Sequence, residues 1–123
     1  FVFVVSARHG TLGGFLESSF CFDMKILVLN YEYPPVGGGG GRLTEKLCEG
    51  FVARGHAVRV VTAGLSHLPK EETRGGVRIF RPPSFRRRED TCSVLEMGQY
   101  LVTALPTALR EAWVWKPDVV HAH

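Results

Sequence analysis

Cysteine is scarce in this chain of 123 residues, which contains only Cys21, Cys48 and Cys92. Their number is odd, they lie far apart, and none belongs to a C-x-x-C motif. This spacing is typical neither of a disulfide framework nor of a zinc site. We therefore expect a protein of a reducing compartment, the cytoplasm, with no structural metal.

Long apolar runs are also missing. The run at the amino end, residues 1–5, is too short for the core of a signal peptide or for a membrane span. The first residue is not Met, whereas Met24 opens the strand-like stretch MKILVLN. We expect residues 1–23 to be an upstream or non-native extension with little order, and residues 24–123 to form the folded domain.

The two familiar phosphate-binding loops are absent as well. A G-x-G-x-x-G motif would need its third glycine where the sequence has Arg42, Leu43 or Thr44. No Asp or Glu occurs between residues 51 and 70 to bind ribose hydroxyls, and no Gly-Lys pair is present to form a P-loop. These absences exclude a standard dinucleotide-binding fingerprint and a P-loop.

Positive charge is concentrated in one place. The net charge is +3 and the isoelectric point is about 9.0, and much of the excess lies in Arg86, Arg87 and Arg88. One short cluster is not the stripe that follows a nucleic-acid backbone, so we expect no nucleic-acid partner. The cluster is either a solvated surface or a contact for an anionic acceptor or for acidic lipids at the cytoplasmic membrane face.

Strand-like and helix-like segments alternate from Met24 onward. Short, continuous apolar runs are typical of strands that are buried on both faces of a parallel sheet. The predicted strands are residues 25–30, 57–63, 76–83 and 117–123, and the predicted helices are residues 42–54 and 93–115. This order predicts an α/β fold, a Rossmann-like parallel sheet with flanking helices.

The first predicted helix carries Leu43, Leu47 and Phe51 at intervals of four residues. This spacing predicts that they form its inward, apolar face, with Cys48 and Val52 beside them on the same stripe. Gly55 is placed to cap its carboxyl end.

The second predicted helix contains Pro106, which predicts an interruption or kink there. Trp113 and Trp115 lie near its end, and we expect them to pack the helix onto the sheet. Between the second and third strands, residues 64–75 are mostly polar and predict a loop.

Five consecutive glycines, residues 37–41, separate the first predicted strand from the first predicted helix. Ordering glycine costs more backbone entropy than ordering any other residue, so a folded run indicates unusual dihedrals or a close backbone approach. A strand-to-helix turn lies at the edge of an α/β sheet where ligands bind, and free helix N–H groups attract anions there. The alternative is a flexible linker.

Four segments together resemble the amino-terminal domain of glycosyltransferase family 4, whose members are retaining enzymes of the GT-B fold. They are MKILVLNYEYPPVGGGGGR, LCEGFVARGHAVRVVTAG, GGVRIFRPP and KPDVVHAH, and they lie within residues 24–123. The resemblance implies a hexosyltransferase that moves a sugar from a nucleotide-sugar donor to a sugar, lipid or small-molecule acceptor, without a cofactor or metal.

The resemblance also implies that residues 24–123 are part of the acceptor-side domain of a two-domain enzyme. The E-x7-E region, which binds the donor in this family, is not in the sequence, so we expect this fragment to be inactive alone. We expect no catalytic residue within it.

The same resemblance assigns binding roles. The Gly-Gly pair of the family aligns with Gly37 and Gly38, near the donor diphosphate, and a histidine that lines the cleft aligns with His121. The residues expected to contact the donor diphosphate or the acceptor are Gly37, Gly38, Gly39, Gly40, Gly41 and Arg42.

Three alternatives stay open at this point. His121 and His123 share one face of a strand and could form half of a metal site, although no third ligand is evident. The chain could also be a non-catalytic sugar- or nucleotide-binding module. A different α/β enzyme, such as an epimerase or a carboxylate ligase, could use the same topology.

Overall fold

The fold is a six-stranded sheet with two helices, seen in a computed structural model that describes residues 3–6, 24–84 and 93–123. The elements follow one another in the order β1 (Phe3–Ser6), β2 (Lys25–Leu29), α1 (Gly39–Ala53), β3 (Ala57–Val61), β4 (Glu71–Arg74), β5 (Val77–Phe80), α2 (Val94–Trp115) and β6 (Val119–Ala122). All four predicted strands and both predicted helices are present.

The strand order is β1-β6-β2-β3-β5-β4. The four central strands are parallel, whereas β1 and β4 run antiparallel at the two edges. The prediction of an α/β, Rossmann-like, mostly parallel sheet is therefore confirmed. Because the central strands are parallel, their carboxyl ends lie on one side of the sheet, and the loops that follow β2, β3 and β5 all leave from that side, which we call the binding edge.

Strand β4 lies inside the segment that was predicted to be a loop, so that prediction is wrong for residues 71–74. It pairs with β5 through a tight turn at Gly75 and Gly76, both of which have positive φ. Its residues are mostly exposed and its sequence, EETR, has no apolar residue. An edge strand outside the core needs no apolar alternation, which is why the pattern was missed.

Strand β1 adds another edge, paired with β6 from Phe3 opposite Ala122 to Ser6 opposite Val119. It falls within residues 1–23, which were expected to be an extension. The rest of that segment lies outside the described residues.

Two apolar clusters cover the two faces of the sheet. On the face of α1, buried side chains of β2, β3 and β5 pack around Tyr33 and Cys48. On the face of α2, a second cluster includes Leu27, Tyr100 and Ala104. Burial raises the pKa of the Cys48 thiol to about 12 and raises the pKa of the Tyr100 phenol.

Helix α1 turns only part of the predicted apolar face to the sheet: Cys48 is buried, and Phe51 and Val52 pack against the core. Gly41, Thr44 and Cys48 are its buried residues, whereas Leu43 is 65% and Leu47 40% exposed. Small side chains on the inward face allow the helix to approach the strands closely. The exposed leucines instead lie beside the end of β6, as described below.

The carboxyl end of α1 agrees with the prediction of a cap at Gly55. This glycine has φ +88°, and its N–H donates to the carbonyl of Val52 over 3.0 Å. Such a left-handed glycine just after the last turn is the usual way to end a helix.

Helix α2 begins with a capping box. The Ser93 hydroxyl accepts from the N–H of Glu96, and the Glu96 carboxylate accepts from the N–H of Ser93. The helix continues without a break through Pro106, so the predicted interruption does not occur. Pro106 is exposed, and so is Val102, the residue whose carbonyl loses its helix partner there.

The two tryptophans near the end of α2 behave differently. Trp115 packs against the cluster on the α2 face, as predicted, and the Arg59 guanidinium lies 4.4 Å from its ring centre. Trp113 is 84% exposed, so its predicted packing role is wrong.

Across the described part of the chain, no helix is both long enough and apolar enough to cross a membrane.

Candidate functional site

The glycine run lies between the carboxyl end of β2 and the amino end of α1, as its sequence position predicted. Tyr33 and Val36, both fully buried, anchor the chain that leads into it, and the Val36 N–H donates to the Tyr33 carbonyl over 2.9 Å. The Pro34–Pro35 peptide between them is cis. The loop is thus folded against the core, which argues against a flexible linker.

The five glycines divide into two groups. Gly37 has φ +94°, and a Cβ at this position would lie 2.6 Å from the Cβ of Glu32. A Cβ on Gly41 would lie 3.1 Å from the Val36 carbonyl oxygen. Gly37 therefore needs to be glycine for the loop to close on itself, whereas a side chain at Gly41 would be a tight fit.

The other three glycines face outward. No atom lies within 4 Å of a Cβ placed on Gly38 or Gly39, and a Cβ on Gly40 would meet only the Glu32 carboxylate at 3.5 Å. All three are exposed. The structure needs no glycine here for its own packing, and the backbone of this stretch is open to a ligand.

The amino end of α1 lacks a side-chain cap. Gly38 occupies the N-cap position and has no side chain to bind the N–H groups of the first turn. The first four N–H groups of a helix have no partner within the helix, and together with the helix dipole they favour an anion. Such an end is suited to bind phosphate oxygens.

Glu32 is a member of this site that sequence reasoning missed. Its carboxylate accepts a hydrogen bond from the Gly38 N–H over 3.3 Å, so a negative group of the protein already lies at the helix end. In the sequence Glu32 is one acidic residue in a loop, and no local pattern distinguishes it.

A buried polar network holds the loop in place. The Asn30 amide donates to the Thr44 hydroxyl over 2.5 Å, and that hydroxyl donates to the Gly40 carbonyl over 3.0 Å. The Asn30 amide oxygen also accepts from the Glu32 N–H over 3.1 Å. Asn30 and Thr44 are 6% and 4% exposed, so this network fixes the loop from inside.

Arg42 is exposed and lies in the first turn of α1. Its backbone N–H donates to the Gly38 carbonyl over 3.3 Å. It is therefore at the edge of the glycine loop, as its place in the sequence predicted. The other predicted basic residues, Arg86, Arg87 and Arg88, lie outside the described residues.

The two histidines at the end of β6 lie beside the same helix. His121 and His123 line a pocket of about 190 Å³ together with Leu43, Thr44 and Leu47 of α1. Their ring centres are 6.4 Å apart. Within the described segments, no group of three or more His, Cys, Asp or Glu residues is placed to hold a metal ion.

The β4–β5 hairpin braces the loop from its other side. The guanidinium groups of Arg74 and Arg81 both donate to the Pro34 carbonyl, over 3.4 and 3.3 Å. Arg81 also forms an ion pair with Glu72 at 2.7 Å, and this hydrogen bond holds the pKa of the Glu72 carboxyl below its usual value. The missed strand β4 therefore helps to position the candidate site.

Comparisons with known proteins identify the family of the chain. Residues 38–123 match the family described as the glycosyl transferase 4-like domain. A glycogen synthase of Mycobacterium tuberculosis is 35% identical over 115 residues, which cover 81% of this chain and 28% of that protein. An uncharacterised glycosyltransferase of Methanocaldococcus jannaschii is 33% identical over 101 residues, which cover 81% of this chain and 25% of that protein.

The chain therefore spans only about a quarter of the length of these curated relatives. No solved structure gives a significant match to it. The family match covers more than half of the chain and includes α1, the sheet strands from β3 to β6, and α2. This chain belongs to the glycosyl transferase 4-like family.

Proposed function

We propose that this chain is the acceptor-side part of a retaining glycosyltransferase that moves a sugar from a nucleotide-sugar donor to an acceptor. One observation supports this most directly: an uncapped helix end with three open glycines lies at the ligand-binding edge of a parallel sheet. The family and the names of the relatives favour sugar transfer over the other chemistries that this topology hosts.

In this proposal the backbone N–H groups of Gly38, Gly39 and Gly40 bind the donor diphosphate. When the bond to the sugar breaks, negative charge grows on the departing diphosphate. Donors that are already oriented towards that charge lower the barrier, because they need no reorganisation during the reaction. The network of Asn30 and Thr44 supplies this fixed orientation.

Glu32 has to move for the diphosphate to bind. Its carboxylate now occupies the Gly38 N–H, and two negative groups close together repel each other. We propose that Glu32 turns away when the donor arrives and returns when the nucleoside diphosphate leaves.

The remaining roles follow from position. His121 lines the pocket beside α1 and would face the sugar-transfer cleft. Donor-sugar recognition and the chemical step would need residues beyond those of this chain, which spans about a quarter of its relatives. On this proposal the chain alone binds ligand but does not turn over. Contact of Arg86, Arg87 and Arg88 with an anionic membrane stays a prediction.

The experiment compares two alanine variants of one helix in the protein expressed from its own gene. Gly39→Ala adds a methyl to the open loop, whereas Gly50→Ala adds the same methyl further along α1, where nothing lies within 4 Å either. Release of nucleoside diphosphate is measured with a panel of nucleotide sugars.

We expect Gly39→Ala to lower turnover at least tenfold and Gly50→Ala to leave it unchanged. Equal activity of both variants would show that the loop does not contact the diphosphate. If the unmodified protein binds nucleotide but transfers sugar from none of the donors, the non-catalytic module is favoured instead.

A further inference from the structure

A second pocket lies at the binding edge of the sheet, next to the glycine loop. Its volume is about 170 Å³, and it is formed by the loops that follow β3 and β5. Its lining includes Gly64, Ser66, Lys70, Arg81, Pro82 and Ser84. Strands β2, β3 and β5 are neighbours in the sheet, so this pocket and the glycine loop open on the same edge.

The pocket is built into the fold. Gly64 is buried, and a Cβ placed on it would lie 2.9 Å from the Pro82 carbonyl oxygen, so only glycine lets the two loops meet. The Ser84 hydroxyl donates to the Gly64 carbonyl and ties the two loops together. The backbone N–H of Arg81 donates to the Lys70 carbonyl over 2.7 Å and forms a second link between the two loops.

The charge of the pocket is positive. Arg81 is only 2% exposed and is matched by Glu72 at 2.7 Å, while Arg74 lies between Glu72 at 3.0 Å and Glu45 at 3.9 Å. These four groups balance one another. Lys70 adds a positive charge that has no ion-pair partner among the residues that the structure describes.

Arg81 also has unused hydrogen-bonding capacity. Its two terminal nitrogens donate to Glu72 and to the carbonyls of Pro69 and Pro34. Its Nε–H is buried and finds no partner within the described part of the chain. A buried donor without an acceptor is costly. This nitrogen is closed to solvent, so a ligand in the pocket would be held by the open groups of its lining rather than by Nε.

The size of the pocket selects a small group. It is more than ten times the roughly 10–15 Å³ that one water needs, but smaller than the ~300–1,000 Å³ of pockets for whole drug-sized ligands. Such a space holds one charged substituent and part of the ring that carries it.

We infer that this pocket binds a single oxyanion, a phosphate monoester or a carboxylate, carried by the acceptor. Lys70 supplies the long-range attraction, and Ser66 and the backbone at Gly64 supply hydrogen bonds. That the acceptor carries this anion rests on the proposed transferase function. The anion site itself rests on the pocket alone. Since Arg81 also donates to the Pro34 carbonyl, one side chain joins this pocket to the glycine loop.

The test is an NMR titration of the ¹⁵N-labelled chain with glucose 6-phosphate, glucuronate and glucose. The wild-type chain is compared with Lys70→Ala and with Lys46→Ala, which removes a lysine whose side chain is 81% exposed on α1. Both lysines lie at the surface, so neither change should disturb the fold.

We expect the two anionic sugars to shift the amides of Gly64, Ser66 and Arg81, and neutral glucose to leave them unmoved. Lys70→Ala should weaken anion binding about fivefold, because one unit charge at ~4 Å in water is worth about that factor. Lys46→Ala should change it less than twofold. If only one anionic sugar binds, the pocket selects that oxyanion and the inference stands in the narrower form.

Three results would overturn the inference: shifts caused equally by glucose, no shifts with either anion, or equal losses in the two lysine variants. The donor site has a separate readout, since a nucleoside diphosphate should move the amides of residues 38–42 and should be unaffected by Lys70→Ala. Failure of the glycine-loop proposal and failure of this one are therefore distinguishable.

Discussion

The ion pair between Arg59 of β3 and Glu111 of α2 gives a sharp prediction about what holds α2 on the sheet. Glu111 is only 3% exposed, and its carboxylate lies 2.5 Å from an Arg59 guanidinium nitrogen. The same guanidinium lies over the Trp115 ring. Replacing Glu111 by Ala leaves the guanidinium beneath the helix without its carboxylate.

The magnitude follows from burial. Breaking one side of a buried pair costs ~3–5 kcal/mol, because the remaining charge stays desolvated. The Arg59 side chain retains 20% exposure, so water can partly replace the carboxylate. We therefore expect Glu111→Ala to lower the free energy of unfolding by about 3 kcal/mol, a large part of the ~5–15 kcal/mol typical of a domain.

The assay is urea unfolding followed by circular dichroism. With a slope of ~1–3 kcal/mol per molar urea, the midpoint should fall by about 1–3 M. Glu49→Ala is the control, since Glu49 pairs with Lys46 only at 3.8 Å on the surface and should cost below about 0.5 kcal/mol. Arg59→Met combined with Glu111→Leu should recover most of the lost stability, because apolar groups often replace a buried pair without loss. A cost for Glu111→Ala below about 1 kcal/mol, or a double variant no more stable than the single one, would refute this reasoning.

Three further predictions concern the loop and the core. Gly37→Ala should lower the free energy of unfolding by ~1–3 kcal/mol in urea unfolding, because φ is +94° and the new Cβ would meet Glu32. Gly38→Ala should cost less than about 1 kcal/mol, since the space around that position is open. Equal costs of the two variants would contradict the strain assigned to Gly37. Glu32→Gln should tighten pyrophosphate binding about fivefold by calorimetry, since one negative charge near the ligand is removed; unchanged affinity would mean that Glu32 does not compete. Stability should fall as the pH rises above 9, since the Cys48 pKa moves from 9.0 in the unfolded chain to about 12 in the folded one, and the unfolded chain then loses the proton first. The contribution of Cys48 to this fall should be at most about 1.4 kcal/mol per pH unit between pH 9 and 10, and Cys48→Ala should make the fall shallower without abolishing it, because burial also raises the pKa of Tyr33 and of Tyr100.

Much of the fold could be predicted because the central strands are apolar and buried on both faces. Ile26 and Val28 face one cluster and Leu27 faces the other, so the run reads as continuously hydrophobic. Strand β4 could not be predicted in this way, since an exposed edge strand is stabilised by its pairing rather than by apolar burial. Its sequence, EETR, has the composition of a loop.

The orientation of α1 shows a second limit of sequence patterns. The pattern placed Leu43 and Leu47 inward together with Cys48, but in the structure the two leucines are exposed and Thr44 is buried beside Cys48. Thr44 is needed inside because its hydroxyl binds Asn30 and the Gly40 carbonyl. These hydrogen bonds favour the burial of Thr44 over that of the leucines.

The candidate site was predictable in its location and not in its details. The strand–glycine–helix order placed an anion site at residues 37–41, and the structure shows an uncapped helix end there. The position of Glu32 under Gly38 depends on the path of the loop, which no local pattern encodes. The buried Arg81 likewise joined the site only through the fold of the β4–β5 hairpin.

The central proposal is that the open glycines bind a diphosphate, and the most direct test is a calorimetric titration of the chain with a nucleoside diphosphate. The wild-type chain is compared with Gly39→Ala and Gly50→Ala, which add one methyl each to α1 at positions free of steric contact. We expect binding by the wild type and Gly50→Ala with equal affinity, and at least tenfold weaker binding by Gly39→Ala. Equal affinity of all three proteins, or no binding by the wild type, would contradict a diphosphate site at the glycine loop.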